Sequence, residues 1–575
     1  MLKLLRFLRP FRLPVALVLL LTFVQTTASL YLPTLMAQIV DQGVVKGNVP
    51  YILDVGLEML FITVVGALAA VLSSLVGSRV TAGFGQRLRS AIFGHVEGFT
   101  LQGFDRLGTS SLIVRTTNDV MQVQQLVNMV LSMMVMAPLT AVGGILLALY
   151  TDARLSVIVF VAIPVLALAV YLLMRQGLGL FRLMQTKVDR LNLVLRENLT
   201  GVRVIRAFDR VPAEVRRFET GNQSLTDTSV AVFRLMALLM PGVMLVMNLA
   251  VVAVVWFGGI EINAGTLQVG QLMAFIQYVM QVMFAVMMVA MMAFMIPRGQ
   301  ASALRIQEVL DIQPDVTDPP SAKPLGRATG RVEFQHVTFH YPGAEEPALT
   351  DISFVVEPGQ TVAIIGGIGA GKSTLLNLIP RFYDVTSGTI TLDGVDIRQL
   401  AQADLRAQIG YVPARPVLFT GSVLDNIRYG NLTASEEEAS RAARIAQAQE
   451  FIEEWGEGLA SPISQGGLNL SGGQKQRLAI ARALVRRPPL YLFDDCFSAL
   501  DYRTDALLRR ALREEVAGAT VIIVAQRVST VMDADQILVI DDGRLVGNGT
   551  HRQLMADSAV YQEIVRSQIL PEELA

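Results

Sequence analysis

Long apolar runs alternate with charged stretches over the first half of the chain, and this pattern ends near residue 300. Six of the runs match the roughly 20 apolar residues that a helix needs to cross a bilayer core of about 30 Å. They occupy residues 13–40, 55–80, 127–150, 155–175, 234–260 and 268–297. A soluble core that buried six such helices would require a far larger protein, so the pattern predicts a transmembrane helical bundle.

The polar segments between the runs indicate which helix ends face the cytoplasm. Residues 81–126 and 176–233 form long, arginine-rich segments, whereas the other connections are short. Because cytoplasmic loops are enriched in Lys and Arg, we expect both segments and the basic, amphipathic N-terminus "MLKLLRFLRPFR" to be cytoplasmic. Breaks in helical periodicity at 104–111 and 198–208 predict turns that contact another domain. A solvated helical hairpin is the simpler alternative.

Methionines and a few amides distinguish the last two apolar runs. Gln277 and Gln281 are four residues apart and therefore share one helix face, and Asn248 lies in the preceding run. Polar groups at membrane depth usually face a bundle interior or a watery cavity, and methionine suits surfaces that adapt to varied ligands. The three residues are candidates for a cavity that holds a small hydrophobic substrate. Ordinary helix packing explains them equally well.

The chain changes character after a proline-rich linker at 311–329, and residues 330–575 have the pattern of a soluble α/β domain. An apolar strand there leads into a glycine-rich loop and a helix. The loop and the start of the helix contain Gly366, Gly367, Gly369, Gly371, Lys372, Ser373 and Thr374. In such a loop backbone N–H groups converge on phosphates, the lysine reaches the outer phosphates and the serine hydroxyl ligates Mg²⁺. The predicted ligand is ATP or GTP.

Two further motifs complete the candidate site. The stretch "LYLFDDCFSALD" (490–501) places Asp494 at the end of a buried strand, where its carboxylate can hold Mg²⁺ together with Ser373. Upstream, the motif "LSGGQ" opens a helix whose amino end suits an anion. The residues of that end are Ser471, Gly472, Gly473 and Gln474.

These motifs resemble those of the ATP-binding-cassette (ABC) ATPases, and with the six preceding runs the whole chain resembles a multidrug-type ABC exporter half-transporter. The resemblance implies a membrane α-helical bundle at 1–310 and an α/β P-loop ABC ATPase domain at 330–575. It implies that two chains bind two ATP molecules, each between one chain's phosphate loop and the other's signature "LSGGQ". It also implies that Tyr341 stacks on adenine and that the two cytoplasmic breaks are coupling helices.

Three positions near the γ-phosphate depart from the family pattern. Asp495 replaces a glutamate base, Gln526 replaces a switch histidine, and Ala414 replaces a glutamine that contacts Mg²⁺ and water. Aspartate draws the carboxylate back by roughly 1.5 Å, and a misplacement near 1 Å can lower a rate about a hundredfold. Glutamine cannot take up a proton near neutral pH, and alanine offers no polar atom. Asp495 and Gln526 therefore mark the catalytic positions of an impaired site.

The signature "LSGGQ" is intact, and in the family it contacts the ATP that is bound by the opposite chain. The three departures therefore impair this chain's own ATP site and leave its contribution to the other site unchanged. The sequence predicts the degenerate-site subunit of a heterodimeric bacterial exporter of hydrophobic or amphipathic drugs or lipids. Its partner would be a second half-transporter chain with the glutamate and the histidine in place. A slow homodimeric exporter, an ATP-binding regulatory subunit and an importer are the alternatives.

Composition agrees with a membrane protein and excludes some other classes. Hydrophobic residues make up 52% of the chain and charged residues 17%, below the roughly 25% charged of a soluble average. A net charge of -1 gives no basic excess for nucleic acid, and a single cysteine, Cys496, excludes a disulfide framework within the chain. We expect a multi-pass protein of the bacterial inner membrane with its ATPase domain in the cytoplasm.

Overall fold

The computed structural model describes residues 2–568 and divides into two compact units. The membrane unit runs through Glu97 and continues from Thr109 to Ile312. The α/β unit comprises Gly98–Gly108 and the chain from Gln313 onward.

Among the described residues, six helical stretches of the membrane unit are long and apolar enough to cross a bilayer. We name them spans 1 to 6, and they are Lys3–Val44, Val49–Glu97, Thr109–Thr151, Ser156–Thr200, Val211–Asn263 and Val269–Asp311. Span 2 contains 49 residues, which at 1.5 Å per residue makes a helix of about 74 Å, more than twice the bilayer core. The helices therefore continue well beyond the apolar runs, and the predicted six-helix bundle is confirmed.

A short helix lies at each of the two breaks in the long cytoplasmic segments. They are α1 (Leu101–Leu107) and α2 (Val202–Ala207). Gly108 ends α1 at a φ of 74°, a left-handed conformation that favours glycine, and Gly201 precedes α2. The first break thus begins earlier than the predicted 104–111, because span 2 ends at Glu97 and α1 itself is helical.

Polar contacts fix several pairs of spans. Near the cytoplasmic ends of spans 3 and 6, Arg305 donates to the buried Asp119 at 2.8 Å, and Arg115 donates to Glu308 at 2.7 Å. At the opposite end, Asp41 of span 1 accepts hydrogen bonds from the backbone N–H groups that begin span 6. These contacts satisfy groups that would be unfavourable in lipid.

Asp41 caps span 6, and its removal should destabilise the membrane unit. Its carboxylate is 8% exposed and accepts from the N–H of Gly270 at 2.6 Å and of Gln271 at 3.1 Å. We expect Asp41→Ala to lower the free energy of unfolding by about 1–2 kcal/mol, because buried N–H groups lose their acceptors. Thermal unfolding of the full chain in detergent measures this. Asp54→Ala, at an exposed carboxylate near the start of span 2, is the control, and an equal fall in both variants would contradict the capping role.

The α/β unit contains ten α-helices and twelve strands in the described part that follows the linker. The helices are α3 (Lys372–Leu378), α4 (Gln402–Ala407), α5 (Val423–Arg428), α6 (Glu436–Ile445), α7 (Gln449–Glu454), α8 (Gly472–Leu484), α9 (Tyr502–Glu515), α10 (Val528–Val531), α11 (His551–Asp557) and α12 (Ala559–Gln568). The strands are β1 (Val332–Phe339), β2 (Leu349–Val356), β3 (Thr361–Gly366), β4 (Ser387–Leu392), β5 (Val395–Asp396), β6 (Ile409–Val412), β7 (Gly421–Ser422), β8 (Pro462–Ile463), β9 (Leu490–Asp494), β10 (Thr520–Val524), β11 (Gln536–Asp541) and β12 (Arg544–Gly549).

The central sheet has the strand order β12-β11-β3-β10-β9-β6 and is parallel except for β12. A second, antiparallel sheet has the order β2-β1-β4-β5. Every residue of β9 and β10 is buried, as is typical of a parallel sheet covered on both faces. In the register, Val524 lies opposite both Ile364 and Asp494. The carboxyl ends of β10 and β9 are therefore level, and β3 continues two residues beyond them to Gly366. This edge is where ligands bind in such sheets.

Candidate nucleotide site

The phosphate loop begins where β3 ends, and its glycines are required by space and by backbone conformation. A Cβ on Gly366 would lie 1.9 Å from the carbonyl oxygen of Ile540, so no side chain fits there. Gly371 is left-handed at a φ of 95° and begins α3. In contrast, a Cβ on Gly367 or Gly369 would meet no atom within 4 Å. The loop is thus anchored at both ends and open in between, as a phosphate cradle must be.

Lys372 lies across this cradle. Its Nζ donates to the carbonyl oxygens of Gly366 at 2.9 Å and Gly367 at 2.6 Å, and the residue is only 8% exposed. Burial lowers the pKa of Lys372, while the negative charges of Asp495 and Asp494 oppose that shift. Phosphate oxygens would be stronger acceptors than the loop carbonyls, so the ammonium group fits a triphosphate.

A pair of oxygen ligands adjoins the lysine. The Ser373 hydroxyl donates to the Oδ1 of Asp494 at 2.8 Å, and Asp494 is 5% exposed at the end of β9. Burial raises the pKa of Asp494, and the neighbouring Asp495 adds to the shift. A hydroxyl beside a carboxylate is the hard oxygen donor set that Mg²⁺ prefers, so the two predicted metal ligands fit that ion.

Tyr341 lies beside the start of α3. Its hydroxyl is 3.0 Å from the Oγ1 of Thr374, and its ring meets Phe339 and Tyr383 edge to face, at 4.9 Å and 5.5 Å between centroids. Both aromatic neighbours and Thr374 therefore fix the ring close to the phosphate loop. The sequence identified Tyr341 and Thr374 but did not indicate their contact.

The ring of Tyr341 should contribute to nucleotide affinity through stacking, and its hydroxyl should contribute little. We expect Tyr341→Ala to weaken ATP binding by about 5- to 100-fold, since stacking of an aromatic on a base contributes about 1–3 kcal/mol. Tyr341→Phe, which keeps the ring and loses the contact with Thr374, should remain within about threefold of the wild type. Equilibrium binding of a fluorescent ATP analogue to the full chain distinguishes them. Equal losses in both variants would contradict a stacking role.

Asp495 and Gln526 are held together at the ends of β9 and β10. The Nε2 of Gln526 donates to the Oδ2 of Asp495 at 2.8 Å. Burial raises the pKa of Asp495, against the opposing effects of Ser498, Lys372 and Arg527. The amide thus occupies one oxygen of the carboxylate at the predicted base position. Asp495 is also left-handed, with a φ of 45°, a conformation that aspartate tolerates better than most residues.

The third departure, Ala414, is exposed in the loop after β6. Its methyl group can neither ligate a metal nor orient a water molecule.

The signature forms the amino end of α8. Ser471 caps the helix, since its Oγ accepts from the N–H of Gln474 at 3.2 Å and its own N–H donates to the Gln474 side chain at 2.9 Å. A Cβ on Gly472 would meet no atom within 4 Å, and one on Gly473 would come within 3.3 Å of the Ala499 carbonyl oxygen. No hydrogen bond in the described part of the chain joins these four residues to the phosphate loop. The amino end of α8 is therefore capped, with Ser471 and Gly472 exposed, a geometry that suits an anion.

The candidate substrate residues differ in their contacts among the described residues. The Nε2 of Gln281 donates to the carbonyl oxygen of Ser29 in span 1 at 3.3 Å, while its buried Oε1 has no hydrogen-bond partner. Gln277 and Asn248 are exposed and make no hydrogen bond among the described residues. The structure therefore assigns only Gln281 to a contact between two spans.

The sequence motifs did not indicate one cluster of charged residues near the site. Asp505 and Arg509 of α9 pair at 3.2 Å, and Arg509 donates to the Ser529 carbonyl oxygen at 2.7 Å. Arg527 donates to the Ser498 carbonyl oxygen at 3.2 Å. These contacts connect the segment after Asp495 with the segment after Gln526. The four-residue spacing of the acid and base in an amphipathic helix was the available signal.

Comparison with known proteins places these features in one family. The chain matches the family models of the ABC transporter transmembrane region at residues 15–286 and of the ABC transporter at residues 349–498. It is 44% identical over 566 residues to an uncharacterized ABC transporter ATP-binding protein of Mycobacterium tuberculosis, covering 98% of this chain and 97% of that protein. It is 34% identical over 530 residues to an ATP-dependent lipid A-core flippase of Chromobacterium violaceum, covering 92% and 90%.

A solved structure agrees with the sequence matches. A bacterial Atm1-family ABC exporter with ATP bound is 28% identical and superposes with a TM-score of 0.81, covering 97% of this chain and 99% of that one. The predicted fold class, six membrane helices followed by an α/β ABC ATPase domain, is confirmed. The chain therefore belongs to the ABC transporter family, as a multi-pass exporter half-transporter that carries its transport ATPase domain on the cytoplasmic side.

Proposed function

We propose that this chain is the ATP-retaining subunit of a heterodimeric exporter in the bacterial inner membrane, and that its own ATP site hydrolyses slowly. The hydrogen bond from Gln526 to Asp495, 2.8 Å long, carries the proposal. It joins a shortened carboxylate to an amide that cannot accept a proton, at the two positions where the chemistry would need a base and a proton relay.

Nucleotide binding and nucleotide hydrolysis make different demands, and this site meets the first. Lys372 and the open loop glycines suit the phosphates, Tyr341 suits the adenine, and Ser373 with Asp494 would hold Mg²⁺. The bound metal would neutralise phosphate charge. Tight binding without efficient attack by water follows from the site's own residues.

Efficient ATP hydrolysis would take place at the second ATP site of the heterodimer. Ser471 caps the exposed amino end of α8, and no hydrogen bond among the described residues joins this end to the chain's own phosphate loop. We propose that they complete a site on a second half-transporter chain, which contributes its own phosphate loop, glutamate and histidine. This chain would thus support hydrolysis that it does not itself perform.

Each part of the chain has its own proposed role. We propose that residues 1–310 transport, that 311–329 link, and that 330–575 bind ATP. The short helices α1 and α2 would be the coupling contacts. α2 has no buried residue, and Phe208, which follows it, is 72% exposed. This exposed apolar surface suits a contact with the ATPase domain of a second chain.

Substrate class is proposed from two sources. The relative from Chromobacterium violaceum is named as a lipid A-core flippase, and the spans themselves are apolar and rich in methionine. Both favour export of a hydrophobic or amphipathic compound, a drug or a lipid.

The experiment compares the full chain purified alone with the complex that copurifies with a tagged copy. We expect the lone chain to hydrolyse ATP about a hundredfold more slowly than the complex, because one misplaced base suffices for such a loss. Hydrolysis and transport by the lone chain at the rate of the complex would instead establish a homodimer and refute the proposal.

A further inference from the structure

A cavity with polar and apolar lining residues lies between spans 1, 3 and 6 at the ends opposite the cytoplasmic segments. Its volume is about 360 Å³, enough for a headgroup the size of a monosaccharide. Span 1 lines it with Thr34, Gln38, Asp41 and Gln42, and spans 3 and 6 contribute further hydroxyl and amide groups. The cavity is distinct from the predicted residues Asn248, Gln277 and Gln281, none of which lines it.

Some of the polar groups in this cavity already have partners. The hydroxyls of Thr34 and Tyr278 are 2.6 Å apart, and both oxygens of Asp41 accept from the backbone at the start of span 6. The carboxylate therefore compensates the positive end of that helix rather than offering a free negative charge. It cannot serve as the counter-ion of a bound cation without losing this cap.

The groups that remain available are uncharged. The amides of Gln38 and Gln42 and the hydroxyls of Tyr31 and Tyr150 line the cavity and make no hydrogen bond among the described residues. An amide presents two donors and two acceptor positions, and a phenol donates and accepts. Aromatic rings beside amides suit a ligand that carries several hydroxyl or amide groups.

Cations are missing where an anionic headgroup would require them. None of the residues that line the cavity is Lys or Arg, and residues 13–45, 116–153 and 235–297 contain neither. The exposed Lys46 follows Gln42 by four residues and is not part of the lining. Arg154, just beyond span 3, lies 3.8 Å from Glu261. A phosphate or carboxylate in the cavity would therefore be desolvated without a counter-charge in the lining, which is unfavourable.

We infer that this cavity binds the uncharged, hydroxyl- or amide-bearing headgroup of an amphiphile. The inference rests on the proposed function and narrows its substrate class. It also separates this chain from exporters of anionic lipids, whose headgroups need basic residues at the binding position.

A labelling experiment tests the headgroup directly, because the native Cys496 is buried. Thr151→Cys places a thiol in the cavity without removing any of the four free polar groups, since the Thr151 hydroxyl already donates to the Leu147 carbonyl oxygen. Val45→Cys places a thiol on an exposed position just outside the cavity. The complex that copurifies with the full chain, in phospholipid nanodiscs, is labelled with a membrane-impermeant maleimide. Three probes with the same dodecyl chain are added: dodecyl glucoside, dodecyltrimethylammonium and dodecyl phosphate.

We expect dodecyl glucoside to slow labelling of Thr151→Cys by about tenfold at saturation, and the two charged probes to slow it less than about twofold. Labelling of Val45→Cys should be unaffected by all three. Adding Gln38→Leu, which keeps the size and removes the amide, should abolish the protection by the glucoside.

Protection by dodecyl phosphate or dodecyltrimethylammonium equal to that by the glucoside would overturn the inference, as would protection by none of them. Equal protection of Val45→Cys would also overturn it. These readouts do not involve ATP hydrolysis. A failure here therefore leaves the proposed inequality of the two ATP sites intact, and a failure of that inequality leaves the headgroup result standing.

Discussion

Gly472→Asp in this chain should lower ATP hydrolysis by the complex at least about a hundredfold, the scale expected when a preorganised electrostatic contact to the transition state is lost. A Cβ at Gly472 meets no atom within 4 Å, so the side chain fits without distorting α8. A carboxylate in the first turn even favours the helix. The expected loss therefore comes from repulsion of the phosphate bound by the opposite chain.

The matched comparison is Lys372→Ala, which damages this chain's own phosphate loop. Because the proposal assigns most hydrolysis to the other site, we expect this variant to reduce the rate of the complex by less than about tenfold. Steady-state hydrolysis by the two purified complexes, at equal occupancy of the second subunit, measures the ratio. Equal losses from Gly472→Asp and Lys372→Ala would mean that the two sites contribute equally.

The second large effect is a gain. Replacing Asp495 with Glu and Gln526 with His should raise hydrolysis by the lone chain at least about tenfold, since the base moves toward the attacking water and a titratable imidazole becomes available. The two changes belong together because the present side chains share a hydrogen bond. Glutamate at a φ of 45° should lower the free energy of unfolding by about 1 kcal/mol. The rates are therefore compared at equal concentrations of folded protein.

A control of the same size isolates the carboxylate. Asp495→Gln with Gln526→His has the longer side chain without its charge, and we expect it to leave the rate at or below the wild-type value. Hydrolysis by both double variants, each compared with a further Lys372→Ala version, shows whether the gain arises in this chain's own site. No gain in the glutamate variant would show that Asp495 and Gln526 are not what limits hydrolysis.

The fold and the binding part of the site could be predicted because their signals are local. Each of the six apolar runs predicts a membrane span from its own length and composition, however the spans pack together. The loop from Gly366 to Ser373 is likewise one continuous stretch of sequence. Asp494 followed from an apolar strand that ends in a carboxylate. In each case the property depends on neighbours in the sequence, so one sequence is enough.

Contacts between distant segments could not be predicted in this way. Asp41 caps Gly270 across 229 residues, and nothing in either segment specifies the other. Gln526 and Asp495 were both singled out, but their hydrogen bond depends on the alignment of β9 with β10. The predicted break at 104–111 contains Gly108, which ends α1 in a left-handed conformation, but the earlier end of span 2 at Glu97 was not predicted.

The retention of ATP by this chain tests the central claim most directly. The complex is incubated with 8-azido-ATP labelled in either the α- or the γ-phosphate, irradiated after successive intervals, and the two subunits are separated. If this chain holds ATP while its partner hydrolyses, the γ-label should persist on this chain over many turnovers and disappear from the partner within about one turnover. Loss of the γ-label from both subunits at the same rate would contradict the account.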